Sequence, residues 1–248
     1  MQLFQAPPST RYDLNFRLFG FPIRIHPMFW LLALLFASGS RNLLYILAFF
    51  IVIIISLLIH ELGHAFTLRA MGQESQIVLY HGGGLTIPEE RSWGYSTARI
   101  ALSPAQDVLV AVSGAGAGFL MVLLLSILVQ FMGGSVSVAT LFGIIPLPQL
   151  SLPFGGTILT TFLSAFVWVN MFWGVFNLLP VIPLDGSTVM KHILQHFDPA
   201  DGYRKSMWVS VVVGAVIALA ALTLMSSIFI AFLFGFLAFQ SYQRVRVY

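Results

Sequence analysis

Long apolar runs separated by short polar segments make up the chain. Leu43 to Ile59 carries no charge and apolar composition continues to about Arg69, while Asp107 to Met132 and Thr157 to Leu179 repeat the pattern. Ser206 to Phe239 is also uncharged, too long for one crossing of a bilayer and sufficient for two that turn near Met225-Ser226-Ser227. A helix rising 1.5 Å per residue needs about 20 apolar residues to cross a hydrocarbon core of about 30 Å. A shorter run starts at Pro27 and would need Phe21 to His26 to help complete it. The pattern therefore predicts about six transmembrane helices, at 27–39, 43–69, 107–132, 157–179, 206–224 and 226–243.

The polar segments have patterns of their own. Met1 to His26 reads as an interfacial arm, with an alternation at Leu14 to Leu18 compatible with a short strand. In Thr67 to Gln106, Gln76 to Tyr80 reads as a strand, His81-Gly82-Gly83-Gly84 as a turn and Leu85 to Pro88 as a second extended piece. Leu141 to Gly156 is apolar but broken by Pro146, Pro148 and Pro153, which predicts a loop resting on or dipping into the membrane surface. The expected fold is an all-α polytopic membrane protein. It forms a single domain over 1–248, with a small β or extended segment after the second helix.

Composition agrees. At 58% hydrophobic and 8% charged residues, with a mean hydropathy of +0.91, the chain lies outside the range of soluble domains. A net charge of +3 does not point to nucleic acid, because the twelve basic residues are spread along the chain and report orientation instead. With six spans, Arg11, Arg17, Arg24, Arg69, Arg91, Arg99, Lys191, Arg204, Lys205, Arg244 and Arg246 share one side and only Arg41 falls on the other. Positive residues stay inside, so both termini and the far end of the second span are expected in the cytoplasm. A five-span alternative would move Arg244 and Arg246 across. The absence of cysteine excludes disulfides and thiolate-bound metal. No cleavable signal peptide is expected, since the first 26 residues hold three arginines and no apolar core.

One string changes the picture: His60-Glu61-Leu62-Gly63-His64 closes the second run. Positions four apart on an α-helix lie about 40° apart around the axis and roughly 6 Å along it, so His60 and His64 can grip one ion. Imidazoles suit zinc, which takes three protein ligands at catalytic sites and keeps a fourth position for water. Glu61 falls beside that water, where it can act as general base. His60 stands about 26 Å along the helix from Leu43, a turn or two below one membrane face. Ionisable groups at such depth cost several kcal/mol unless bound or paired, so function is their default reading.

Asp185 is the candidate third ligand of one Zn2+ per chain. It ends Asn177-Leu178-Leu179-Pro180-Val181-Ile182-Pro183-Leu184-Asp185, and Gly186 permits a sharp turn after it. The prolines would hold the chain extended, presenting the acid on a rigid, non-helical arm. The competing reading makes Asp185 a cap for a helix over Gly186 to Gln195. His81 is read as lying outside the ligand set. His192 and His196 repeat the i, i+4 spacing, but no acid lies between them and their amphipathic segment reads as exposed. Asn170 is assigned to interhelical hydrogen bonding, and Gly114 with Gly118 to close helix packing.

The strings at 60–64 and 177–186 together resemble the site-2 protease family of intramembrane zinc metalloproteases. Pro22-Ile23-Arg24-Ile25-His26-Pro27 and Gly82-Gly83-Gly84 extend the likeness over most of the chain. The family's third core helix usually carries Gly-Pro-x-x-Asn, whereas Gly114-Ala115-Gly116-Ala117-Gly118 stands here. The resemblance implies an endopeptidase that cuts the transmembrane segment of a single-pass membrane protein near its cytoplasmic side, usually after another protease has trimmed it. It also implies that Asn177 helps to stabilise the oxyanion of the tetrahedral intermediate. A helical substrate must unwind before water can attack, and a free strand edge could hold the unwound stretch.

Two rivals come from other classes. A zinc or proton-coupled transporter would need polar residues continuing through the outer halves of the spans, which hold almost none. A catalytically silent binder of membrane helices would not need Glu61.

Overall fold

The computed structural model describes residues 6–31, 43–89, 91–93, 96–98, 101–141, 145–224 and 226–247. Two compact units are built from interleaved stretches: Met1–Ala101 with Ser113–Gly174, and Leu102–Val112 with Val175–Tyr248. Among the described residues, five helices are long and apolar enough to cross a membrane: Ile46–Ala70, Pro104–Phe131, Gly156–Asn177, Gly202–Thr223 and Ile228–Val247. They make this a multi-pass membrane protein. The expected span at 27–39 falls mostly on residues outside the described set. The other five spans are found with ends shifted by up to about a turn, because helices continue past the apolar run: the fourth of these begins at Gly202 and includes Arg204 and Lys205.

The first unit opens with strands β1 (Leu14–Leu18) and β2 (Phe21–Ile25), so Phe21 to Ile25 completes a sheet and not a membrane span. The two-residue turn between them holds Phe19 at φ 50° and Gly20 at φ 85°. Positive φ at both central residues matches the twist of a hairpin. Helix α1 (Leu43–Ala70) then carries the chain across to β3 (Ser75–Tyr80), which pairs parallel to β2 with Ile23 opposite Ile77. Strand β4 (Gly83–Pro88) returns antiparallel, giving the order β1-β2-β3-β4. The extended segment expected after the second helix is thus half of a four-stranded sheet, whose other half is the amino-terminal arm. Register explains the partition: Ile23, Ile25, Ile77 and Leu79 are buried in the core, while Pro22 and Arg24 alternate outward. Arg69 at the end of α1 pins the first hairpin, donating to the Phe19 carbonyl at 2.8 Å with its guanidinium 3.5 Å from the Phe21 ring centre.

Two short strands, β5 (Arg91–Trp93) and β6 (Ser96–Ala98), precede helix α2 (Pro104–Phe131). A hairpin of β7 (Ser135–Leu141) and β8 (Ile145–Ser151) follows, then α3 (Gly156–Asn177). Among the described residues of the proline-broken loop expected over Leu141 to Gly156, Ile145–Ser151 is therefore a strand. Pro146 and Pro148 are two apart, so both missing donors can face the open side of a two-stranded ribbon. Leu150 and its neighbours pack that ribbon on the core.

Helices α1, α2 and α3 share this core, with Val52, Ile53 and Leu57 meeting Val122, Val129, Phe166 and Val167. At the α1–α2 crossing a Cβ on Gly63 would lie 2.4 Å from the Ser113 carbonyl oxygen, so only glycine allows the approach. Asn170 of α3 donates to Ser56 Oγ of α1 at 2.8 Å, the interhelical bond expected of it.

The second unit contains α4 (Asp185–Phe197), α5 (Gly202–Thr223) and α6 (Ile228–Val247). Helices α5 and α6 form a close pair, with Ser210 and Ser241 hydroxyls 2.8 Å apart and Gly214 admitting Ala238.

Candidate metal and catalytic site

His60, Glu61 and His64 occupy the buried face of α1, opposite the exposed stripe of Leu47, Ile51 and Ile55. None of the three is more than 7% exposed. The Nε2 atoms of His60 and His64 lie 3.2 Å apart. Two nitrogens each about 2.05 Å from a tetrahedral ion are about 3.3 Å apart, so the pair already has the spacing of two ligands to one metal. Both nitrogens converge on Gly114 of α2: a Cβ there would sit 2.3 Å from His64 Nε2 and 2.7 Å from His60 Nε2. The small-residue pattern of α2 therefore does more than let helices close. Gly114 is the wall against which the two imidazoles are set, while Gly118 takes the packing role beside Asn170.

From α1, the Glu61 side chain packs against strand β4. A Cβ on Gly84 would fall 2.4 Å from Glu61 Oε1, so the carboxylate occupies the place of the missing side chain. Two residues on, Thr86 Oγ1 lies 2.7 Å from Glu61 Oε2 and 3.0 Å from its carbonyl oxygen. Both oxygens accept, so the hydroxyl donates its one hydrogen between them. Alternate strand residues share a face, which is why Gly84 and Thr86 reach the same side chain. On α3, Trp173 closes on the start of β4, within 2.9 Å of where a Cβ on Gly83 would be. Tyr80, fully buried at the end of β3, has its phenol pushed up to about 12, first by burial and then by the Glu61 charge. His81, read as outside the ligand set, stacks edge-on against Tyr80 with its Nδ1 buried.

In the second unit, Asp185 is the first residue of α4 and not the tip of a non-helical arm. Leu184 occupies the N-cap position with no side-chain bond, so the acid lies within the first turn, where the helix dipole favours a carboxylate. Its approach is tied down nearby. The Ile182 amide donates to Ser210 Oγ at 2.8 Å, and a Cβ on Gly186 would meet the Leu178 carbonyl oxygen at 2.1 Å. Asn177 ends α3, buried. On α4, His192 Nε2 reaches Asp107 Oδ2 at 2.6 Å and Lys191 Nζ the same oxygen at 3.2 Å.

Sequence patterns alone missed Gly114, Gly84 and Thr86. The Gly82-Gly83-Gly84 run was a signal for a close backbone approach, but what approaches was not readable. Thr86 carries no local signal.

Comparison with known proteins follows this geometry. The family model described as peptidase family M50 matches residues 48–221. A zinc metalloprotease of Methanocaldococcus jannaschii is 25% identical over 210 residues, covering 84% of this chain and 52% of that protein. The chain thus spans about half the length of that curated relative. A solved site-2 protease from Methanocaldococcus jannaschii has the same fold, at a TM-score of 0.55 and 24% identity, covering 96% of this chain and 97% of that one.

Proposed function

Because this chain belongs to peptidase family M50, we propose that it is a zinc-dependent intramembrane endopeptidase in which His60, His64 and Asp185 hold the metal and Glu61 is the base. The observation that carries this reading is the buried His60–His64 pair at ligand spacing, with a carboxylate beside it. The string at 177–186, which Asp185 shares with Asn177 and which resembles the site-2 protease family, supports the third ligand. Zinc bound there lowers the pKa of a bound water toward about 7 and polarises the scissile carbonyl. Glu61 takes a proton from the attacking water and returns it to the departing amide nitrogen as the peptide bond breaks. Asn177 donates to the developing oxyanion.

The substrate is a single-pass membrane protein whose helix unwinds and pairs with β4, at the end of the sheet order. Cleavage falls near the cytoplasmic side after another protease has trimmed the substrate. The one-sided distribution of arginine and lysine supports that orientation and cytoplasmic termini.

Cleavage of a single-span reporter in proteoliposomes tests the reading, comparing wild type, Glu61→Gln and a chelated sample while zinc is counted. Glu61→Gln is expected to lose about 10²–10⁴-fold in rate with one zinc per chain retained, and chelation to abolish cleavage. One zinc per chain with no cleavage of a broad panel of trimmed helices by wild type would replace this reading with the silent helix binder.

A further inference from the structure

The two oxygens of Glu61 are not equivalent. Oε2 is the nearer acceptor of the Thr86 hydroxyl, at 2.7 Å against 3.0 Å for the Glu61 carbonyl oxygen, whereas no hydrogen bond to Oε1 is found among the described residues. Glu61 fills the space that a side chain on Gly84 would take, since a Cβ there would lie 2.4 to 2.6 Å from Oε1, Cγ and Cδ. Backbone pairing in turn fixes Gly84 and Thr86, opposite Leu79 and Ile77 of the buried strand β3. The hydroxyl is therefore held in place by the sheet and not by its own rotamer alone.

We propose that Thr86 is the positioning residue of the general base: its hydroxyl holds Glu61 Oε2 so that Oε1 is the oxygen that takes the proton. This rests on the assignment of Glu61 as base. In the step itself, water forms a bond to the carbonyl carbon, its proton passes to Oε1, and Oε1 delivers that proton to the nitrogen as the C–N bond breaks. Oε2 stays with Thr86 throughout. Without the hydroxyl, a carboxylate presents either oxygen in a range of orientations, and only a fraction of encounters is productive. The same strand carries both this hydroxyl and the edge proposed for substrate, so a substrate that pairs with β4 stiffens the element that holds the base.

The test compares Thr86→Val, which keeps shape and loses the hydroxyl, with Thr86→Ser, which keeps the hydroxyl. In proteoliposomes Thr86→Val is expected to lower kcat about 10- to 100-fold with KM and zinc content unchanged, and Thr86→Ser to return within about threefold of wild type. A second readout needs no turnover. In cobalt-loaded protein, the visible band of Thr86→Val should move toward that of Glu61→Gln, and the band of Thr86→Ser should not. Wild-type kcat and an unmoved cobalt band in Thr86→Val overturn the proposal, as does a Thr86→Ser variant as slow as Thr86→Val. If wild type loads cobalt yet cuts no reporter, the proteolytic reading fails and the cobalt band alone decides the role of Thr86.

Discussion

Two pairs of histidines in this chain have the same spacing and opposite fates. His60 and His64 lie on a helix that is apolar all round, buried, with their Nε2 atoms facing each other and a glycine of the neighbouring helix. His192 and His196 lie on an amphipathic helix, where the first is taken up by Asp107 and the second stacks edge-on with the exposed Phe197. Spacing supplies reach in both. Only the first pair is buried with its Nε2 atoms 3.2 Å apart and a carboxylate one residue away. Burial on an apolar helix sets the first pair nitrogen to nitrogen, whereas on a half-exposed amphipathic helix the second pair is drawn apart by a carboxylate and an aromatic ring.

The largest expected contrast is between His64→Ala and His196→Ala. The first should abolish both zinc retention and cleavage, and the second should keep one zinc per chain, as counted by elemental analysis. Two zincs per wild-type chain, one lost with His196, would erase the distinction. Next in size is Gly114→Ala, which pushes a methyl against both Nε2 atoms and should weaken zinc binding about 10- to 100-fold in chelator competition. Gly116→Ala, whose Cβ meets nothing within 4 Å, is the control and should bind as wild type.

A smaller effect is expected at the second pair. Asp107→Asn removes the carboxylate shared by His192 and Lys191, and since all three are partly exposed the loss should be about 1 kcal/mol of stability in thermal unfolding, with zinc content unchanged. Smallest is a titration that reports the dryness around the first pair. The Tyr80 phenol is raised from 10 to about 12 in the folded chain. Its contribution to stability is thus complete below pH 10 and is lost as pH rises toward about 12. Phenolate absorbance should show a late phase near pH 12 that Tyr80→Phe removes. A phenol titrating near pH 10 would mean that Tyr80 itself is solvated in the folded chain.

Much of this was legible along the chain. The paired strings at 60–64 and 177–186 carried the chemistry, because reach along a helix and the donor preferences of zinc need no tertiary information. Apolar length likewise marked the helices, and alternation marked β1, β3 and β4. The misreadings share one cause, namely that local pattern does not say what an element packs against. Phe21 to Ile25 is apolar enough to extend a membrane span, yet its outward Pro22 and Arg24 make it a strand once β3 arrives beside it. Three prolines concealed the β7–β8 ribbon, since a proline is excluded only where its missing donor would face a partner. Asp185 starts a helix because Gly186 fits against the Leu178 carbonyl, a contact made by the fold of the loop.

By itself, then, the sequence determined that this is a multi-pass membrane protein with a candidate metal pair and a candidate base on one apolar helix. Tertiary structure alone decided which face of that helix turns inward. Helix α1 is hydrophobic on every side, so nothing in its composition chooses a direction. The choice is made where polar groups find partners: Ser56 at Asn170, Glu61 at Thr86, and the imidazoles against a glycine that no side chain could replace. A buried polar group without a partner costs about 1–3 kcal/mol, while the apolar faces of this helix are interchangeable, so the polar partners set its rotation.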